Sequence, residues 1–178
     1  MRVAQSRQRV RKCAIRQIIF IDFEASSLSS ASFPTELGWA EVLPDGAIGS
    51  CSYLIGPAAK WTVFANAWSA ASERLTGISR EMLDREGLPP AEVMKRFLAA
   101  VGDRDLFSDE VEFDQHWLGM LADVAGVDLA GRKIGDARKL IEAAGGDLGA
   151  AANSDEPRHR AGPDARRLAL LYARAIAG

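Results

Sequence analysis

The chain has 178 residues, of which 48% are hydrophobic and 26% are charged, a balance typical of one globular domain and not of a disordered or fibrous chain. Its apolar runs are all shorter than the roughly 18 to 20 residues that a membrane-spanning helix requires. The two cysteines, Cys13 and Cys51, lack the spacing of a metal site, which favours a reduced, cytoplasmic setting over a disulfide-stabilised secreted one.

The net charge of −2 is unevenly distributed along the chain. Six of the 22 basic residues and none of the 24 acidic residues lie in 1–17, which leaves a net charge of −8 for 18–178. We therefore expect a basic, flexible N-terminal segment at 1–17, followed by a single domain at 18–178. A nucleic-acid-binding arm, an organellar-type leader and a translation start placed too far upstream are the alternatives for this segment.

In chain order, the first predicted element is a central strand at 18–24, which is short, apolar and rich in isoleucine. Residues 35–55 then predict a β-hairpin, because Pro44, Asp45 and Gly46 form a turn signal between two strand-like segments. In the first of these segments Glu41 interrupts the alternation of apolar side chains, so the sequence leaves the buried face open.

Helical patterns and two further short strands follow the hairpin. Helices are predicted at 68–76, 90–101, 112–126, 137–144 and 163–177, and strands at 105–109 and 132–137. A tract of small and polar residues at 145–157 is expected to be mobile. The order predicts an α/β fold, with a mixed sheet of about five strands, an antiparallel hairpin at one side and flanking helices.

Two carboxylates at the end of the first strand raise a chemical question. Asp22 and Glu24 are two positions apart, so their side chains share one face of the strand and repel each other unless a cation lies between them. Asp114 comes close to the start of an amphipathic helix, and His159 and Asp164 flank the start of the last helix. Taken singly, each has an ordinary structural interpretation, such as a solvated strand end, a helix N-terminal acid or a surface histidine.

The order of these motifs is more specific than any one of them. "DFEASSL", "EFDQHWL" and "HRAGPDA", with "RLTGIS" between the first two, resemble the motifs of the DEDDh family of 3′→5′ exonucleases over about residues 18–177. The family includes the proofreading ε-subunit, ribonuclease T and oligoribonuclease. The resemblance implies a ribonuclease H-like fold and an enzyme that releases nucleoside monophosphates from single-stranded DNA or RNA 3′ ends.

The resemblance also implies a metal centre and its residues. Two divalent ions about 4 Å apart, Mg²⁺ or Mn²⁺ because the ligands are carboxylates, would drive hydrolysis. Asp22 would bridge both ions, Glu24 and Asp164 would help to hold the ion that bears the attacking water, and Asp114 would hold the other. His159 would act as the general base, which suits a group that titrates near neutral pH.

Several residues are expected to touch the substrate. The backbone of Ala25, Ser26 and Ser27 would contact the 3′-OH, and Leu28 would wedge against a base. Arg158 and Arg160, which precede the last helix, would contact phosphates better than Arg166 and Arg167 on the helix. The chain departs from the family at four positions. Ser27 stands where the family usually has glycine, Asp109 and Thr76 each stand where it has histidine, and Glu110 stands where it has asparagine.

Two other functions remain open from the sequence. The acidity of 18–178 favours a hydrolase of very short oligonucleotides or nucleotide-like small molecules, since long polymers usually bind a basic groove. The other open function is that of a catalytically silent nucleic-acid-binding domain with the same fold. The preference for DNA or RNA is open as well, and a homodimer is an alternative to a monomer because several members of the family are dimers.

Overall fold

The computed structural model describes residues 18–63, 66–147 and 159–178. The basic segment 1–17 and residues 148–157 of the tract predicted to be mobile lie outside the described residues. Five strands form one sheet: β1 (Ile18–Ala25), β2 (Pro34–Val42), β3 (Ile48–Leu54), β4 (Asp105–Ser108) and β5 (Ile134–Asp136).

The strands are arranged in the order β3-β2-β1-β4-β5, so β1 is central, as predicted. β1 pairs antiparallel with β2, and β2 pairs antiparallel with β3, which confirms the hairpin. β4 runs parallel to both β1 and β5. The carboxyl ends of β1 and β4 therefore meet at one edge of the sheet, where ligands commonly bind in open α/β folds.

Six helices flank the sheet in the described part of the chain: α1 (Ala70–Thr76), α2 (Arg80–Glu86), α3 (Pro90–Val101), α4 (Val111–Ala125), α5 (Ala137–Ala143) and α6 (Ala161–Ala177). Five were predicted, and α2 was missed. It is one seven-residue element in which Leu83 is the buried side chain, so it carries no apolar periodicity. Its local signal is the hydroxyl of Ser79, which accepts the Met82 N–H at 3.1 Å and caps the helix.

The sheet is buried on both faces by two separate apolar clusters. Ile19 and Ile21 of β1 lie in the cluster that includes Phe97 of α3. Phe20, on the opposite face, lies in the cluster that includes Leu168 of α6. This arrangement explains why the sequence of β2 did not reveal its buried face: both of its faces are covered.

Three of the four tryptophans are core residues. Trp39, Trp61 and Trp117 are all buried. The Trp61 ring stacks on Phe33, with ring centroids 5.9 Å apart. These indoles therefore stabilise the fold. Among the described residues, no helix is both long and apolar enough to cross a bilayer.

Helix α6 approaches β2 so closely that the contact requires glycine. A Cβ atom at Gly38 would lie 2.2 Å from the carbonyl carbon of Ala161, the first residue of α6. Since backbone cannot swing aside as a flexible side chain can, we expect Gly38→Ala to lower the free energy of unfolding by about 1–3 kcal/mol or more. Urea unfolding monitored by circular dichroism measures this change.

Gly119→Ala is the matched control for this prediction. Gly119 lies inside α4, and a Cβ there would have nothing within 4 Å. Alanine in a helix interior is more favourable than glycine by roughly 0.5–1 kcal/mol, so this variant should be as stable as the wild type or slightly more stable. Equal stability of the two variants would contradict the close approach of α6.

Candidate active site

A cavity of about 930 Å³ opens where β1 and β4 end. Among the described residues, six carboxyl groups and one histidine line it: Asp22, Glu24, Asp109, Glu110, Asp114, Asp164 and His159. All five residues that the sequence singled out for catalysis are among them. The topology thus brings together side chains that are separated by up to 142 positions in the chain.

Three of the carboxylates converge on one point. Asp22 and Glu24 stand on the face of β1 that α6 covers, and Asp164 reaches them from the first turn of α6. One carboxylate oxygen of each residue lies within 4.8 Å of the other two. Such a set of hard oxygen donors suits a divalent cation such as Mg²⁺ or Mn²⁺.

The electrostatics of this cluster also favour a cation. Burial raises the pKa of Glu24 to about 8, and the charges of Asp164 and Glu36 add to the effect. Asp22 opens onto the cavity, but its carboxyl group is enclosed by protein; burial, followed by repulsion from Asp114, raises its pKa well above the usual range. In the ionised state these groups repel one another, and a bound cation would relieve that repulsion.

Asp114 lies beside the three-carboxylate cluster on the wall of the same cavity. It is 1% exposed, and burial raises its pKa to about 8, with Asp109 contributing repulsion. The Ser108 hydroxyl and the backbone of Phe23 lie near enough to lower this pKa in part, but no donor has hydrogen-bond geometry at the Oδ2 atom within the described part of the chain. A buried carboxylate oxygen without a donor is costly, so this atom is suited to bind a metal ion or a metal-bound water.

His159 precedes α6 with a left-handed backbone, at φ 62°. Its N–H donates to Oδ2 of Asp164 at 2.9 Å, and the N–H of Arg160 donates to the same oxygen at 3.2 Å. These two bonds tie the histidine to the start of the helix and stabilise a conformation that costs a non-glycine residue energy. The imidazole is left exposed on the cavity wall.

Glu36 is a residue of this region that sequence reasoning missed. It is buried in β2 directly opposite Glu24, and it accepts bonds from Nε and Nη2 of Arg160 at 2.8 and 3.0 Å. The N–H of Ala161 and the hydroxyl of Ser52 donate to it as well, at 3.1 and 2.8 Å. Its local signal was weak, because β2 carries two acids, Glu36 and Glu41, and nothing in the strand itself distinguishes one from the other.

Arg160 is bound to Glu36, and its expected phosphate contact stays a prediction. Its guanidinium is held by Glu36, and Arg160 is not among the residues that line the cavity. Arg158, the other arginine expected to contact phosphate, lies outside the described residues. Within the described part of the chain, the arginine that lines the cavity is Arg167, which the sequence ranked behind both.

The residues after the first motif divide into two groups. Ala25, Ser27 and Leu28 line the cavity, as substrate-contacting residues would. Ser26 does not: its hydroxyl donates to the carbonyl of Ala67 at 2.6 Å and accepts the N–H of Phe33 at 2.9 Å. The backbone N–H and carbonyl of Ser26 are also bonded within the protein, so Ser26 holds the loop in place.

Exposed apolar side chains line the cavity together with the acids. Leu28, Leu75 and Phe113 are 84%, 57% and 49% exposed, and all three line the cavity. The ring of Phe113 stacks on Trp117, with centroids 5.6 Å apart, and lines the cavity. Clustered exposed apolar side chains of this kind mark a binding surface.

The comparisons with known proteins identify the fold. No family model matches the chain, and neither does any curated protein sequence. E. coli exonuclease I in complex with a dT13 oligonucleotide has a TM-score of 0.63 at 13% identity, over 90% of this chain and 40% of that one. The zinc-ion form of the E. coli exonuclease I complex with single-stranded DNA has a TM-score of 0.64 at 14% identity, over 90% and 42%.

Exonuclease X in complex with 5′-overhanging duplex DNA is similar along most of its length. Its TM-score is 0.57 at 16% identity, over 90% of this chain and 91% of that one. The chain thus spans about two fifths of exonuclease I but nearly all of exonuclease X. This chain has the ribonuclease H-like α/β fold of these exonucleases, as its motifs predicted.

Proposed function

We propose that this protein is a metal-dependent 3′→5′ exonuclease of the DEDDh type, which releases nucleoside monophosphates from single-stranded nucleic acid. The observation that carries the proposal is the convergence of Asp22, Glu24 and Asp164 within 4.8 Å, in one cavity with Asp114 and His159. The shared fold of exonuclease I and exonuclease X, both solved with DNA, supports it.

We assign a pair of divalent ions to these residues. Asp22, Glu24 and Asp164 would hold one, and Asp22 with the unpartnered oxygen of Asp114 would hold the other. When bound, such ions supply Lewis acidity and neutralise the charge of the phosphoryl transition state. His159 would take the proton of the attacking water, because its exposed imidazole faces the cavity while its backbone is fixed by Asp164.

The apolar surroundings of the site suit an unpaired terminal nucleotide. Leu28, Leu75 and Phe113 provide flat or branched surfaces on which a base can rest once it has left a stack. Such contacts do not distinguish sequences, and they favour single strands over duplexes because the base must be unstacked. Exonuclease I has been solved with dT13 and dA16 oligonucleotides, which is consistent with this view.

A second candidate is a hydrolase of very short oligonucleotides. Six acids line the cavity, whereas Arg167 is the single lysine or arginine on its walls among the described residues. A long polymer carries many phosphates and usually requires more cationic contacts than this. A dinucleotide, with one phosphodiester, requires few.

A time course on single-stranded DNA and RNA, labelled at the 3′ or the 5′ end, tests both candidates. Stepwise shortening from the 3′ end, dependent on Mg²⁺ or Mn²⁺ and abolished by EDTA, is expected. A dinucleotide cleaved much faster than a long oligomer would favour the second candidate. No cleavage of either substrate in the presence of metal would contradict both and leave a silent binding domain.

His159→Asn should lower the rate by about 10²–10⁴-fold, the usual contribution of a general base. His116→Asn is the matched control, since His116 is the only other histidine of the chain and lies exposed on α4, away from the cavity walls. This control should keep the wild-type rate. Equal rates for the two variants would rule out His159 as the base.

A further inference from the structure

The two acids that depart from the family pattern each have an arginine partner. Asp109, after β4, lies 3.1 Å from Nη2 of Arg167, and both side chains are largely buried. Glu110 lies 2.8 Å from Arg138, but both of these side chains are more than half exposed. An exposed ion pair contributes little, so the pair of Asp109 and Arg167 is the one that shapes the site.

Arg167 also contacts Asp164, a member of the carboxylate cluster. The two residues are one helical turn apart on α6, and Nε of Arg167 lies 3.5 Å from Oδ1 of Asp164. The other oxygen, Oδ2, accepts the N–H groups of His159 and Arg160. The Oδ1 atom is therefore the one that a metal ion would share with the guanidinium.

We propose that Arg167 competes with the divalent ion for Asp164, and that Asp109 draws the guanidinium away, so that this ion pair sets the metal affinity of the site. The inference rests on the metal centre of the proposed function. A guanidinium stays charged at all physiological pH values, and it repels a divalent ion at the same carboxylate. Asp109 offers it a second acceptor, which leaves Oδ1 accessible to the ion.

Titration of Mn²⁺ alone into the metal-free protein, followed by calorimetry without nucleic acid, tests the inference. Arg167→Met should tighten Mn²⁺ binding by about tenfold, which corresponds to about 1.4 kcal/mol. Asp109→Asn should weaken Mn²⁺ binding by about tenfold, because Arg167 then pairs with Asp164 alone. A coupling of this size is usual for neighbouring groups. Arg167→Lys keeps the charge and should stay within about threefold of the wild type.

Glu110→Gln is the control for the plain loss of one negative charge from the cavity wall, and it should weaken binding only slightly. In the Arg167→Met background, Asp109→Asn should have no more effect than this control, since Asp109 acts through Arg167. Thermal unfolding of each metal-free variant verifies that it is folded. If Arg167→Met does not fold, Asp109→Asn keeps the test decisive, because equally weak effects of Asp109→Asn and Glu110→Gln would overturn the inference.

Additive effects of Asp109→Asn and Arg167→Met would overturn the inference, because independent charges act additively. Unchanged or weaker binding by Arg167→Met would overturn it as well. In both of these cases the proposed exonuclease function would stand. A wild-type protein that binds no Mn²⁺ would instead refute the metal-dependent function together with this inference.

Discussion

Replacing Asp22 with asparagine is expected to abolish cleavage, with a loss of about 10³-fold or more in rate, as for other residues that act as part of a catalytic unit. The carboxyl group of Asp22 is the one repelled by Asp114, Glu24 and Asp164 together, which places it at the electrostatic centre of the site. Rates on a 3′-labelled single strand with Mn²⁺, alongside Mn²⁺ titration calorimetry, measure both consequences.

The same variant is expected to be more stable than the wild type when metal is absent. Asparagine has nearly the shape of aspartate but carries no charge, so it removes the repulsion within the cluster and part of the desolvation cost. A rise in melting temperature with a loss of activity is the pattern expected of a residue retained for function.

Asp84→Asn is the control for this substitution, because Asp84 lies exposed on α2 and outside the cavity. It should keep both the rate and the stability of the wild type. If Asp22→Asn kept the wild-type rate, the measured cleavage would come from a different site or from a contaminating nuclease.

The second large effect concerns pH and stability. In EDTA, the free energy of unfolding is expected to fall as the pH rises from about 5 to about 8. Burial raises the pKa of Glu24 and of Asp114 to about 8 and that of Asp22 well above its usual range, so the folded protein binds these protons more tightly than the unfolded chain. The stability that these protons contribute is fully present below the pKa values of the groups in the unfolded chain. It is lost as the pH rises through their pKa values in the folded protein.

The slope should approach about 1.4 kcal/mol per pH unit for each proton that is fully linked to folding. Urea unfolding at several pH values measures it. Saturating Mg²⁺ or Mn²⁺ should flatten the profile, since a bound cation stabilises the ionised carboxylates that are otherwise unfavourable. Glu24→Gln should reduce the slope of stability against pH in EDTA, whereas Asp84→Asn should not. If the stability of the wild type in EDTA did not change with pH, the raised pKa values would be contradicted.

Local signals in the sequence sufficed for most elements of the fold. Helix α3 begins at Pro90 and ends at Val101, as predicted, because a proline opens it, a glycine follows it and its apolar residues recur at helical spacing. The hairpin followed from its Pro-Asp-Gly turn. Helix α2 was missed because one buried side chain in seven residues gives no periodicity to detect.

The candidate site was predictable where chemistry dictates residue type. Carboxylates at the end of a central strand and a histidine before the last helix could be located as motifs, and the fold brings them into one cavity. The partners of the arginines could not be located this way. Glu36 and Arg160 are 124 positions apart, and their contact depends on strand register and on how α6 docks, which no local pattern encodes.

Helix α6 follows every strand in the sequence, yet it both covers Phe20 of the central strand and supplies Asp164. A ribosome that has translated all five strands therefore carries a nascent chain with one apolar sheet face uncovered and one carboxylate missing from the cluster. Contacts between positions so far apart in sequence form late in folding, because the intervening loop must first be closed. Burial of the second core and completion of the carboxylate cluster are thus one and the same docking event.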